Sequence, residues 1–249
     1  MDKYEKTLRE KLGQQLHYYD TVDSTNNVAK KMEEWTHGVL VVARTQTAGR
    51  GTYGRSFHSK AGQGIYMSLI IDLQQWAFKH EHLATHYTAV VTSEAIKEVT
   101  GIDIELKWVN DLFVNGKKIG GILTEKIFQS NKLIIGIGIN LSGKVEDFPN
   151  ALRNIATSLQ LKPPVDEVAA SLVIQIYKKV LASDHLSNVE TLLKLYKEKL
   201  FICGQMVDIA RGDEIFTARV VNVAANGGLV VECGEEYLTL QTGEVRLKL

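Results

Sequence analysis

Residues 133–141 read LIIGIGINL, and the alternation in this stretch decides the fold. A period of two puts Leu133, Ile135, Ile137, Ile139 and Leu141 on one face, and Ile134, Gly136, Gly138 and Asn140 on the other. Glycine weakens a strand, so two on one face imply that something lies flat against the backbone there, either a ligand or a closely packed helix. Just upstream, IELKW, DLFV and IGGILTEKIF are also strand-like. Asn115-Gly116 marks a tight hairpin between the last two, and QSNK turns the chain into residue 133. Lys107, Asn110, Asp111, Lys117 and Lys118 surround the hairpin, followed by Gly120-Gly121. Lys118 and Gly121 have opposite parity, so a shared pocket needs a bulge, which the glycines permit.

Helices flank these strands. A short helix opens the chain, and DSTNNVAKKMEEW predicts another, capped by Asp23 or Ser24, with Val28, Met32 and Trp35 on one face. Buried strands are expected at VLVVAR from Val39 and at Ile65–Asp72, and an amphipathic helix at Leu83–Val99, with Leu83, Tyr87, Val90, Val91 and Ala95 on its apolar side. Asp166 is expected to cap a helix running to about Ala182, and Ser187 with Glu190 to form a capping box for the next. From Phe201 onward only short strands and turns remain, including Asn226-Gly227-Gly228. The expectation is therefore a mixed α/β sheet with helices on one face over residues 1–200, and a small separate β-barrel over residues 201–249.

The 249 residues contain 29 basic and 29 acidic side chains, so no net field draws the whole molecule to nucleic acid or membrane. That neutrality hides an uneven layout. No acid lies between Glu34 and Asp72, where Arg44, Arg50, Arg55 and Lys60 stand, while residues 200–249 hold seven acids against four bases. The cationic stretch carries Gly49, Gly51, Gly54, Gly62 and Gly64, a loop suited to an anionic small ligand or a flexible surface segment. It lacks the Gly-Lys-Ser/Thr of a phosphate-binding P-loop. The apolar runs fall short of the ~20 residues of a membrane span, and the charged N-terminus, unlike a signal peptide, predicts a cytoplasmic protein. Cys203 and Cys233 read as small buried residues. His82 and His86 stand four apart near a helix start without a third ligand nearby, and read as a solvated helix end rather than a metal pair.

Seven motifs occur in the order found in biotin protein ligases: DSTN (23–26), QTAGRGTYGR (46–55), GIYMSL (64–69), KWVND (107–111), KKIGGILTE (117–125), GIGIN (136–140) and ATSL (156–159). The resemblance covers residues 16–249. It implies that the C-terminal barrel is SH3-like, and that biotin is activated with Mg-ATP to biotinoyl-AMP and pyrophosphate. The biotinoyl group then passes to a lysine of the biotin carboxyl carrier domain of a biotin-dependent carboxylase. GRGTYGR and KWVND resemble the biotin branch rather than the related lipoate ligases. A biotin-binding regulator without ligase activity is the alternative of another class.

Carried over by position, the resemblance implies catalytic roles for Arg50, Lys118 and Asp111; the chemistry also makes Asp111 a candidate base for the acceptor amine, a role the sequence leaves open. Biotin contacts are implied at Ser24, Thr25, Asn26, Gln46, Gly49, Arg50, Gly51, Thr52, Tyr66, Lys118, Gly121, Leu123, Gly136 and Gly138. ATP contacts are implied at Arg50, Arg55, Lys107, Trp108, Asn110, Asp111, Lys118 and Asn140, with magnesium entering on ATP and no permanent metal site. Relatives use the exposed sheet edge for homodimerisation and acceptor docking, so that edge is the place for a homodimer, with the oligomeric state itself left open by the sequence. Barely twenty residues precede DSTN, too few for a helix-turn-helix domain, so a ligase without DNA binding is expected. The chain departs from the family pattern at Thr52, where Arg is common, at Val109, where Pro is common, and at Phe57, where Trp is common. Arg44 or Arg55 could supply the charge missing at Thr52.

Overall fold

The structure, a computed structural model, describes residues 1–182, 186–211 and 214–247. In chain order its elements are α1 (Lys3–Leu12), β1 (Leu16–Val22), α2 (Thr25–Lys31), β2 (Leu40–Gln46), β3 (Gly64–Asp72), α3 (Ala84–Thr100), β4 (Glu105–Lys107), β5 (Asp111–Val114), β6 (Lys117–Lys126), β7 (Lys132–Asn140), α4 (Asp166–Ala182), α5 (Val189–Lys199), β8 (Met206–Arg211), β9 (Glu214–Val223), β10 (Leu229–Cys233), β11 (Glu236–Leu240) and β12 (Glu244–Leu247). A seven-stranded mixed sheet runs β1-β2-β3-β7-β6-β5-β4. Only the β1–β2 pair is parallel.

The alternation of residues 133–141 is realised at the middle of this sheet, where β7 pairs with both β3 and β6. Its odd-numbered residues enter the main core with Tyr4 and Leu8 of α1 and the buried faces of α3, α4 and α5. Each fully buried Ile or Leu there contributes roughly 1.5–3 kcal/mol. On the reverse face Ile134 joins a smaller cluster with Ala29, Val39, Val41 and Ile70. The helices are thus not all on one face, because α2 packs on the reverse side against β2, β3 and β7. The hairpin at Asn115-Gly116 forms, with φ of 49° and 72°, the left-handed pair that a tight turn of this kind requires.

Several local expectations shift. Helix α2 ends at Lys31, and Met32 and Trp35 reach the small cluster from the chain beyond it rather than along a helical stripe. Ser24 is its N-cap residue but makes no capping bond; the Asp23 carboxylate instead accepts from Ser24 N at 2.7 Å and from Asn27 Nδ2 at 2.9 Å. The α5 cap is Asn188, accepting from Thr191 N at 3.1 Å, one residue beyond the expected box. The Asp166 carboxylate at the start of α4 accepts from Arg44 Nη1 at 2.8 Å. Helix α3 is buried on almost every side, since α4, α5 and β6 all pack on it. Its Thr88 and Ser93 hydroxyls return to the carbonyls of Ala84 and Val90. Cys203 is exposed and Cys233 half-buried, so the reading of two buried cysteines fails.

Strands β8–β12 form a five-stranded antiparallel sheet in the order β11-β10-β9-β8-β12. Its inward residues, among them Val207, Ala218, Val220 and Leu229, belong to the same core as the large sheet. The turn before β10 fastens the two sheets together: the Gly227 carbonyl accepts from His86 Nε2 and from Trp108 Nε1, both at 3.0 Å. Gly227 has φ +83°, and a Cβ there would lie 2.6 Å from the His86 ring, so only glycine brings this carbonyl so close. Among the described residues no helix is long and apolar enough to cross a membrane.

His86 is a titration probe of this junction. A carbonyl only accepts, so Nε2 carries the proton, and Nδ1 is a buried atom without a partner. Burial pushes its pKa down to about 4; the Gly227 carbonyl works against that shift and the neighbouring His82 adds to it. Between pH 6.5 and 4 the unfolded chain therefore takes up a proton that the folded chain refuses. Stability should fall as the pH drops through this window, by about 3 kcal/mol for this one group. Urea midpoints measured across it should drop less steeply in His86→Gln; identical slopes would rule His86 out as the source.

Candidate functional site

A cleft of about 430 Å³ opens where β6 and β7 expose their glycine face. One end is uncharged and hydrogen-bonding. Ser24, Thr25 and Asn26, at the start of α2, are buried there. Gln46 Oε1 accepts from Thr25 N at 2.9 Å, and Gln46 Nε2 donates to Ser59 Oγ at 2.8 Å. Ser68 Oγ lies 2.7 Å from Thr25 Oγ1 and 2.5 Å from Asn26 Oδ1. Asn26 Nδ2 donates to Glu125 Oε2 at 2.8 Å. Burial opposes ionisation of Glu125, but Lys30 at 2.6 Å, Asn26 and Arg50 outweigh it and hold the carboxyl below its usual range. The result is a pre-ordered set of neutral donors and acceptors, suited to a small polar ring.

Cations crowd the other end. Lys107 and Lys118 meet here around the carboxylate of Asp111, which is the one lining carboxylate among the described residues; Arg50, Arg55 and Arg246 also line the cleft. Lys118 Nζ donates to Asp111 Oδ1 at 2.5 Å, and Lys107 Nζ lies 3.8 Å from Asp111 Oδ2. The expected bulge brings Lys118 here: the β5–β6 register steps from Leu112↔Gly120 to Phe113↔Lys118, leaving Ile119 over. A Cβ on Gly121 would lie 3.6 Å from Lys118 Nζ, so residues of opposite parity share one pocket. Lys118 is held further by residues 155–157, with Lys118 N donating to Ile155 O and Thr157 N to Lys118 O. Such an end can screen two anions brought together.

Side chains approach the glycine face of β7 closely. A Cβ at Gly136 would fall 2.1 Å from Asn26 Oδ1, and one at Gly138 2.7 Å from the Phe57 ring. A helix-borne side chain and a loop ring lie flat on that backbone. The cationic loop is itself a finger, pinned by Phe57 N to Gly49 O at 2.8 Å, an Arg50–Ser56 bridge and Gly51 N to Arg55 O at 2.7 Å. Arg50 is turned toward Asn27 Oδ1, at 3.0 Å, and Glu125.

Of the expected site residues, Ser24, Thr25, Asn26, Gln46, Arg50, Gly51, Thr52, Arg55, Lys107, Trp108, Asn110, Asp111, Lys118, Gly121, Leu123, Gly136, Gly138 and Asn140 all line this cleft. Gly49 and Tyr66 do not line it. Gly49 lets the finger fold closely, since a Cβ would meet Phe57 O at 2.5 Å, and Tyr66 sends its hydroxyl to Lys60 O at 2.9 Å. Trp108 lines the wall, but its indole N–H is spent on Gly227. Asn110 and Asn140 donate their amide hydrogens to Ile122 O and Thr157 O. Arg44, considered as a substitute for the charge missing at Thr52, is engaged by Asp166 and Asp2 away from the cleft, whereas Arg55 lines it. The sequence places His82 and His86 at a solvated helix end, but His86 is buried and bonded to the Gly227 carbonyl; among the described residues no group of three or more His, Cys, Asp or Glu is placed to hold a metal ion.

Sequence reasoning missed His58, Phe148, Asn154 and Ile155, and also Gly243, Val245 and Arg246 of the C-terminal sheet. Glu125 stood in a quoted motif without a role.

Comparison with known proteins agrees with this geometry. Residues 18–142 match the Biotin/lipoate A/B protein ligase family. The chain is 33% identical over 246 residues to the bifunctional ligase/repressor BirA of Bacillus subtilis, covering 96% of this chain and 75% of that protein. It is 23% identical over 220 residues to the biotin–[acetyl-CoA-carboxylase] ligase of Mycobacterium tuberculosis, covering 84% and 78%. The biotin protein ligase from Aquifex aeolicus in complex with biotin and ATP superimposes with a TM-score of 0.79 at 25% identity, covering 94% of this chain and 100% of that one. A family match over half the chain, together with a relative aligned over nearly all of it, leads to one conclusion: this chain belongs to the biotin/lipoate A/B protein ligase family.

Proposed function

We propose that this protein is a biotin protein ligase that activates biotin with ATP and transfers the biotinoyl group to a lysine of a biotin carboxyl carrier domain. The observation that carries this reading is the two-ended cleft, neutral and hydrogen-bonding at Ser24–Asn26 and cationic at Lys118. Biotin has a matching shape, a neutral ureido ring at one end and a carboxylate at the other.

In the first step the biotin carboxylate oxygen bonds to the α-phosphorus of ATP, the α–β phosphoanhydride bond breaks, and pyrophosphate leaves. Lys118 and Arg50 screen the two approaching anions. In the second step the acceptor lysine amine attacks the acyl carbon, an amide forms, and AMP departs with the electron pair of the anhydride bond. Asp111 is tied to two ammonium groups, so it takes the amine proton only after releasing one of them. The finger at 49–57 excludes water from the mixed anhydride.

Magnesium suits the chemistry of the ATP end. Asn110 and Asn140 each have an amide oxygen that accepts no hydrogen bond among the described residues, and Asp111 adds a carboxylate. These hard oxygens would hold a magnesium ion that arrives on ATP phosphates and neutralises their charge. We read residues 1–200 as the catalytic unit and the five-stranded sheet of residues 201–249 as an SH3-like barrel. The outermost strand β1 leaves an edge that a second copy could extend, which supports a homodimer.

Mixing the protein with labelled biotin, Mg-ATP and a carrier fragment tests the reading. The label should reach the carrier lysine only with ATP. Transfer of lipoate instead, or binding of biotin without transfer, would replace the reading with the lipoate or the regulator alternative. Thr52 supplies a further expectation. Thr52→Arg should lengthen the dwell time of bound biotinoyl-AMP, because one charge-assisted hydrogen bond to phosphate contributes about 1.5–3 kcal/mol. A chase with unlabelled biotin measures the dwell. No change would mean that Arg55 already fills the place.

A further inference from the structure

The tip of the cationic finger carries a residue that its backbone disfavours. Tyr53 has φ 55° and ψ 34°, and Gly54 follows with φ 72°. Arg55 N donates to Thr52 O at 3.2 Å across this pair. Two left-handed residues in succession suit Asn-Gly or Gly-Gly, whereas an aromatic residue in the first place is strained. Its ring is exposed, so core packing does not compensate. What it touches instead is the C-terminal sheet, 190 residues away in the chain. The hydroxyl of Tyr53 donates to Gly243 O at 3.2 Å and accepts from Gly243 N at 3.0 Å. Gly243 lies in the turn before β12, and with Val245 it lines the same cleft as Arg50 and Lys118.

We propose that Tyr53 is a latch that ties the finger to the C-terminal sheet, and that this two-way hydrogen bond holds the finger over the activated acyl intermediate. Tyr53 is a positioning residue, since it holds a loop rather than reacting. Nearer its base the finger is held by its own backbone bonds, by Phe57 against the Tyr66 ring and by Arg50 to Asn27 and Glu125. Arg50 is one of the cations needed at the anion, so a separate fastening at the tip lets it leave Glu125 without opening the loop. The left-handed strain at Tyr53 is offset only while Gly243 is in reach, so the latch is either made or released as a unit.

The consequence for intermediate retention rests on the ligase reading above, whereas the latch itself is tested without it. Trypsin cleaves after Arg50 and Arg55, on either side of the tip. In the full-length protein Tyr53→Phe keeps the ring and loses the hydroxyl, and is expected to be cut there about three- to tenfold faster than wild type. Tyr53→Asn accepts the left-handed backbone but cannot reach Gly243, and is expected to be cut as fast as Tyr53→Phe. Equal cleavage of wild type and Tyr53→Phe would overturn the latch. So would wild-type protection in Tyr53→Asn, which would assign the order to the turn alone. In the second arm bound biotinoyl-AMP is chased with unlabelled biotin. Tyr53→Phe should release it faster by a similar factor, with the biotin concentration needed for half-maximal activation little changed. An unchanged dwell would overturn the retention role, while a wild type that forms no adenylate at all would overturn the ligase reading and leave the proteolysis result standing.

Discussion

Replacing Lys118 by alanine should lower the rate of pyrophosphate release by about 10²–10³-fold, the range seen when one preorganised electrostatic donor is removed from an active site. Biotin titration should move far less. Lys118 sits where the glycine floor meets the cation cluster, with Nζ 2.5 Å from Asp111. In the role proposed for it the charge is needed most when carboxylate and phosphate meet, and an interaction used mainly in the transition state appears in the rate rather than in ground-state binding. Lys118→Arg keeps the charge but replaces a compact ammonium with a planar fork, so it should recover only part of the rate. An unchanged rate in Lys118→Ala would remove Lys118 from the chemistry.

The second large effect is expected at Gly136. A methyl group there would be placed 2.1 Å from Asn26 Oδ1. Asn26 has no room to yield, because its amide is fixed to Glu125 and it contacts Ser68 in a fully buried position. Gly136→Ala must therefore push Asn26 and the start of α2 outward. We expect a stability loss of about 1–3 kcal/mol, as for other overpacked sites. Biotin affinity should fall by about tenfold or more as the hydrogen-bonding end of the cleft is disordered. Gly121→Ala is the internal comparison, since its new Cβ would meet nothing closer than 3.6 Å and should leave the melting temperature nearly unchanged. Thermal melts and isothermal titration of both variants decide the matter; equal behaviour would show that the close approach at Gly136 has no consequence.

Legibility in the sequence followed the range of the interactions. The alternation at Leu133–Leu141, the Asn115-Gly116 turn and the acid-free stretch from Glu34 to Asp72 are local patterns, and each reappears in the structure as a paired strand, a left-handed hairpin turn and a cationic finger. Even the bulge beside Lys118 was foreseeable, because strand parity and adjacent glycines are both local. Expectations failed where a local preference met a longer-range partner. Helix α2, expected to run on to Trp35, ends at Lys31, and Met32 and Trp35 reach the small cluster from beyond it; His86, read as part of a solvated helix end, is buried against the Gly227 carbonyl.

By itself the sequence determined a mixed α/β protein with an all-β C-terminal segment, the motif order that marks the family, and the cationic character of the glycine-rich loop. Those are set by side-chain periodicity, by turn chemistry and by charge, which act over a few residues. Only the tertiary structure decided that Asn26 and Phe57 lie on the glycine face of β7, and that Glu125 anchors both Asn26 and Arg50. It also decided that the C-terminal sheet reaches the cleft through Gly243 and Val245, and the core through Gly227. The reason is physical. A backbone carbonyl or N–H has no sequence signature, so contacts such as Tyr53 to Gly243, or Trp108 and His86 to Gly227, exist only once packing of the two sheets brings distant backbone within hydrogen-bond reach.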